Sequence, residues 1–193
     1  MKLIDSKTYE NLARSYAGEC QARVRYEFIE YGARNEGYKQ LAELIDKVVY
    51  NEFNHARMLY TKIQDASEKP IKNIEVCAGY PFKEKWTLLD NLKFAIEDEE
   101  KEVELYTEFA TTAEEEGFPD IAKLFTNLAG VEDCHAKRFT TLYEQLKNGT
   151  MYKKPNVVKW KCADGGYDAE SKEAWKICPL CQAKQGSVML ILE

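Results

Sequence analysis

The chain has 193 residues, room for one ordinary domain and a small appendage, and its 27 basic and 33 acidic residues leave a net charge of −6. An acidic chain with no basic stripe is a poor partner for nucleic acid. Residues 1–12 lack the apolar run of a signal peptide, no stretch approaches the ~20 apolar residues of a membrane span, and six unevenly spaced cysteines make no secreted disulfide framework, so a soluble cytoplasmic protein is expected.

From Asp5 to Lys147 the sequence is rich in Ala, Leu, Glu and Lys, with apolar residues at the spacing of a helix face. The pattern predicts four long helices at 5–34, 38–66, 86–115 and 119–147. Asn35-Glu36-Gly37 turns the first pair and Glu116-Gly117-Phe118-Pro119 the second; glycine suits the left-handed end of a helix and proline the first turn of the next. Thr87, followed by Asp90, is placed to cap the third helix. About twenty residues containing Pro70, Gly79 and Pro81 separate helices two and three, a length that normally argues against an assignment. Here ~20 extended residues reach ~65 Å, more than the ~38 Å of a 25-residue helix, so the segment can run the length of a bundle. That is the one-long-crossover topology of a ferritin-like four-helix bundle.

After Gly149 the character changes, and residues 150–193 mix Gly, Trp, Tyr and Cys without helical periodicity. A domain boundary is expected at 147/148. A piece of this size rarely folds without a staple, so a small, irregular, metal-dependent unit is expected. Its Cys178-Pro179-Leu180-Cys181 is a Cys-x-x-Cys pair, suited to metal or redox work.

A shift of 80 residues (99 − 19) superposes the two halves of the helical region. Glu19 falls on Glu99, Tyr26 on Tyr106, Gly37 on Gly117, Glu52 on Glu132 and His55 on His135. The chain has only two histidines, and each has a glutamate three residues before it, a coincidence that chance supplies in about one or two sequences per hundred. Glu-x-x-His places both side chains on one helix face. Two helices each giving Glu-x-x-His, with a Glu from each of two others, form the ligand set of a carboxylate-bridged di-iron or di-manganese bundle. Glu19 and Glu99 supply that remaining pair. Glu102 lies one turn beyond Glu99, where the first half has Ala22, and reads as a fifth carboxylate that makes the two metal positions unequal. Carboxylate with imidazole suits iron or manganese. Tyr26 and Tyr106 are placed to donate hydrogen bonds to the ligands. Cys20 and Cys134 lie on other helix faces and are expected to be buried structural thiols; Cys77 has no reading.

Gly18-Glu19-Cys20-Gln21-Ala22-Arg23, Glu52-Phe53-Asn54-His55-Ala56, Glu99 to Tyr106, and Glu132-Asp133-Cys134-His135-Ala136-Lys137-Arg138-Phe139 resemble segments of the rubrerythrins. The resemblance runs over essentially the whole chain. It implies a mainly α fold, a di-iron bundle joined to a small rubredoxin-like β/loop metal knuckle at the C-terminus, and reduction of hydrogen peroxide to water in oxidative-stress defence. Electrons would come from NAD(P)H through a reductase and a rubredoxin. It also implies a homodimer, sometimes with exchanged helices. Carried over residue by residue, Glu19, Glu52, Glu99, Glu102, Glu132 and His135 would bind iron. His55 would be an alternate ligand, taken up by one iron as it moves away from Glu102 on reduction, so Glu102, His55, Tyr26 and Tyr106 are the candidate catalytic set.

The tail departs from the family pattern, which has two Cys-x-x-Cys knuckles. The second is intact, but the first reads Cys162-Ala163-Asp164-Gly165, with Gly165 where a cysteine is expected. Cys162, Cys178 and Cys181 remain as ligands for one iron or zinc, with water, Asp164 or nothing in the fourth position, which puts electron relay through the tail in doubt. A ferritin-like protein that oxidises and handles iron with oxygen is the alternative reading of the bundle.

Overall fold

The computed structural model describes residues 1–80 and 87–191; Pro81 and the expected helix start at 86 lie outside them. Helices α1 (Lys7–Asn35), α2 (Lys39–Asp65), α3 (Leu88–Glu115) and α4 (Pro119–Lys147) form the bundle, each within two residues of its expected bounds. Side chains cap the helix ends, Thr87 as expected from the sequence and Ser6 and Glu116 in addition. Ser6 accepts a hydrogen bond from the Tyr9 amide at 3.1 Å, and Thr87 one from the Asp90 amide at 3.1 Å. Glu116, in the α3–α4 turn, accepts from the Lys7 amide at 3.0 Å and the Thr8 amide at 2.7 Å, and so covers the free amides of α1 from the other hairpin. The two hairpin turns are copies of one another. Gly37 (φ +85°) and Gly117 (φ +82°) are left-handed, and the amides of Tyr38 and Phe118 return to the carbonyls of Ala33 and Ala113 at 2.9 and 2.8 Å.

α1 packs on α2 and α3 on α4, and α1 against α3 joins the hairpins. The described part of the crossover lays Ile71, Ile74 and Val76 on the bundle, and Tyr80 Oη donates to the Arg14 carbonyl at 3.2 Å. The bundle has two apolar cores, one around Tyr26, Ile45, Leu92 and Phe139, the other around Leu12, Leu59, Phe109 and Phe125. Along every helix the glutamates and histidines of the repeat fall between them. A polar layer is thus sealed at both ends by packed side chains.

Residues 150–191 form the small β/loop unit expected of the tail. β1 (Lys153–Cys162), β2 (Asp168–Glu173) and β3 (Val188–Leu190) form an antiparallel sheet in the order β2-β1-β3. Trp160, paired with both Ala169 and Leu190, is buried against Ala174 and Val188. Within it β2, Asp168-Ala-Glu-Ser-Lys-Glu173, lacks the strong apolar alternation of a strand, so no periodic signal marks it in the sequence. The unit touches the bundle closely: a Cβ on Gly186 would lie 1.6 Å from the Gly37 carbonyl oxygen, so only glycine permits this approach.

Candidate metal centre

Each helix contributes its polar residues on the inward face. Glu19 comes from α1, Glu52 and His55 from α2, Glu99 from α3, and Glu132 and His135 from α4. All four carboxylates are 0 % exposed. They sort into two groups whose ligand atoms lie within 4.8 Å of one another: Glu19, Glu52, His55 and Glu132, and Glu52, Glu99, Glu132 and His135. Glu52 and Glu132 belong to both. Glu52 turns Oε2 to His55 Nδ1 at 2.9 Å and Oε1 to His135 Nδ1 at 3.0 Å; Glu132 turns Oε1 to His55 at 3.2 Å and Oε2 to His135 at 2.8 Å. Glu19 stands beside His55 at 3.5 Å and Glu99 beside His135 at 3.7 Å. The arrangement is two carboxylates shared by both groups, with one further carboxylate and one imidazole on each side, related by the 80-residue repeat.

The donors fit a pair of cations. His135 Nδ1 lies 2.8 Å from a Glu132 oxygen, yet among the described residues it has no aligned hydrogen-bond partner, and neither do Glu52 Oε1 or both oxygens of Glu99 and Glu132. Buried polar atoms are rarely left so. Neighbouring ligands ~2.1 Å from one octahedral ion stand ~3.0 Å apart (2.1 × √2), the spacing found here. Electrostatics points the same way. Burial pushes the Glu19 carboxyl up to about 8, and burial with the charges of Glu52 and Glu102 pushes Glu99 well above the carboxylate range. Burial also opposes the charge on Glu52, but contacts with His135 and His55 outweigh it and pull that carboxyl down to about 2. Burial lowers both imidazoles, yet the surrounding carboxylates win and raise them, His135 to about 9. This much buried negative charge calls for positive charge within the layer.

The tyrosines pair crosswise with the repeat. Tyr106 Oη donates to Glu19 Oε1, and Tyr26 stands opposite Glu99, close to it but outside hydrogen-bond geometry. Asn51, which no sequence signal marked, has Oδ1 3.3 Å from His135 Nε2 and orients that ring; its only clue was its place beside Glu52. Glu102 is not in either group. It lines a cavity of about 150 Å³ with Arg14, Ser15, Gly18, Arg25 and Tyr106, under Ala78, Gly79 and Tyr80 of the crossover. Cys20 is half-buried and Cys134 exposed, so neither is the fully buried thiol expected. Cys134 directly precedes the inward-facing His135 and is turned ~100° from it round the helix.

In the tail, Cys162, Cys178 and Cys181 form the third group of potential ligands among the described residues. Asp164 is turned away: it pairs with Lys39, and its Oδ2 accepts from Ser187 Oγ at 2.7 Å.

A ferritin-like bundle enclosing a symmetric carboxylate–histidine cluster defines a class of metal-binding protein, and comparison with known proteins narrows it. The Rubrerythrin family model matches residues 10–89 and 90–164. A rubrerythrin of Clostridium perfringens is 41 % identical over 177 residues, 91 % of this chain and 90 % of that one. One of Nitratidesulfovibrio vulgaris is 30 % identical, over 91 % of this chain and 90 % of its own. Among solved structures, mixed-valence nigerythrin matches with a TM-score of 0.64 at 24 % identity, over 97 % of this chain and 90 % of that chain. A Desulfovibrio desulfuricans bacterioferritin matches with a TM-score of 0.62 at 22 % identity, over 74 % of this chain and 81 % of its own, which is a likeness of fold. The chain belongs to the rubrerythrin family. Among the described residues, no helix is long and apolar enough to cross a membrane.

Proposed function

We propose that the chain is a non-haem di-iron peroxidase of oxidative-stress defence, reducing hydrogen peroxide to water (H2O2 + 2 e⁻ + 2 H⁺ → 2 H2O). Glu19, Glu52, Glu99, Glu132, His55 and His135 would hold two iron ions, which supply the two electrons. The chain's own residues set the rest. Glu52 and Glu132 hold the two positions together, Tyr106 fixes Glu19, and Asn51 fixes His135. The two apolar cores exclude bulk water. The cavity beside Glu102 and Tyr106 has the volume of about five waters, at ~30 Å³ each, which suits a small polar oxidant.

The observation that carries this reading is the unequal placement of His55 and Glu102. His55 lies inside the ligand group while Glu102 stands outside it at the cavity, as an alternating ligand pair requires. Its test is stopped-flow absorbance on anaerobically reduced, iron-loaded protein mixed separately with peroxide and with oxygen. Fast oxidation by peroxide, slow oxidation by oxygen and a Glu102→Gln variant at least tenfold slower with peroxide are expected. A preference for oxygen, with Glu102→Gln unaffected, would replace this reading with that of a ferroxidase. Electrons would come from an NAD(P)H-dependent reductase or a rubredoxin in the cytoplasm. A homodimer is supported by the apolar face of Val24, Phe28 and Tyr31 on α1 beside Tyr50 and Phe53 on α2; Phe28 is 68 % and Tyr50 65 % exposed.

A further inference from the structure

The family's rubredoxin-like tail implies iron held by four thiolates, and the residues of this tail do not fit it. Its knuckles are folded as if for a metal. The Gly165 amide points at Cys162 Sγ at 3.4 Å, those of Leu180 and Cys181 at Cys178 Sγ, and that of Ala183 at Cys181 Sγ. The sulfurs have the spacing of a single ion. Thiolates ~2.3 Å from a tetrahedral metal stand ~3.8 Å apart (2.3 × 1.63), and Cys162 and Cys181 are 3.6 Å apart. Among the described residues, no fourth donor joins them. A Cβ built on Gly165 would lie 2.7 Å from Cys181 Sγ, so Cys181 leans into the room that a side chain at 165 would need. Asp164 is engaged by Lys39 and Ser187, and both histidines of the chain are in the bundle.

We infer that Cys162, Cys178 and Cys181 form a three-thiolate site for a thiophilic closed-shell divalent ion of the zinc class, with its fourth position open to an exchangeable small donor. Three protein ligands plus one open place is the pattern of accessible zinc sites, and a given donor set holds zinc more tightly than ferrous iron. The open place faces solvent, since Cys181 is exposed and its neighbour Leu180 is 66 % exposed. An ion of this class does not change oxidation state, so the tail docks and binds but does not relay electrons. The inference is independent of the chemistry assigned to the bundle.

Cobalt(II) substitution of the full chain tests it, because thiolate-to-cobalt charge transfer reports on the tail and not on the carboxylate cluster. Wild-type protein is expected to show charge transfer that Cys178→Ser abolishes and visible bands that shift when 2-mercaptoethanol or imidazole is added. Gly165→Cys should raise the charge-transfer intensity by about one-third, four thiolates replacing three, and make the bands indifferent to added donor. With zinc and ferrous iron offered together, wild-type tail should retain zinc. Wild-type bands that ignore added donor, or a wild-type tail that takes iron and cycles it reversibly, would overturn the inference. The donor titration on wild type decides the matter even if Gly165→Cys does not fold.

Discussion

Chelating the metal should make the bundle less stable as pH rises, which is unusual for an acidic protein near neutrality. In the unfolded chain Glu19 ionises near 4.5, whereas in the folded chain burial holds its proton up to about 8. Between those values the folded state binds a proton that the unfolded state has lost, so stability falls with rising pH. A pKa unit is worth ~1.4 kcal/mol, so Glu19 alone accounts for at most about 4–5 kcal/mol, less whatever it shares with Glu52 and Glu132. Glu99, raised by burial, acts in the same direction. His135, raised from 6.5 to about 9 by the carboxylates despite burial, adds stability below 6.5 that is lost as pH climbs to 9. Glu52, pulled down to about 2, has the opposite sign, but its contribution is complete above 4.5 and is lost only in acid. From pH 5 to 9 the shifts of Glu19, Glu99 and His135 therefore push one way. At ~2–4 °C per kcal/mol for a chain of this size, the melting temperature of chelated protein, followed by circular dichroism at 222 nm, should fall by roughly 10 °C between pH 5.5 and 8.5. Iron-loaded protein should show a smaller fall, because metal takes the place of the protons. Chelated protein as stable at pH 8.5 as at 5.5 would refute the electrostatic account of the site.

Asn51→Ala removes the Oδ1 partner of His135 Nε2, and is expected to weaken metal binding about 10- to 100-fold in chelator competition, with helical content unchanged. Phe28→Glu combined with Tyr50→Glu places charge on the exposed apolar face of α1 and α2 and should convert a dimer to a monomer in light scattering; an unchanged mass would put the interface elsewhere.

What the sequence made legible follows from how improbable each feature is without a physical reason. Glu19 and Glu99 sit between apolar stretches that pack into two cores, where an uncompensated carboxylate costs several kcal/mol, so their recurrence with two Glu-x-x-His pairs pointed to metal before any geometry was known. Gly37, Gly117 and Pro119 marked the turns because few residues can adopt those backbone positions. Features set by tertiary contact left no such trace. Asn51 looks like any polar residue on a helix until His135 arrives from α4. Glu102 shares a helix face with Glu99, yet its place at the cavity depends on how the crossover lies over α1 and α3. Asp164 looked available as a fourth tail ligand, because only the docked bundle brings Lys39 within reach of it. That pairing ties the two units together electrostatically beside the Gly186–Gly37 contact. The carboxylate of the incomplete knuckle thus secures the tail on the bundle and is not free to complete the thiolate site.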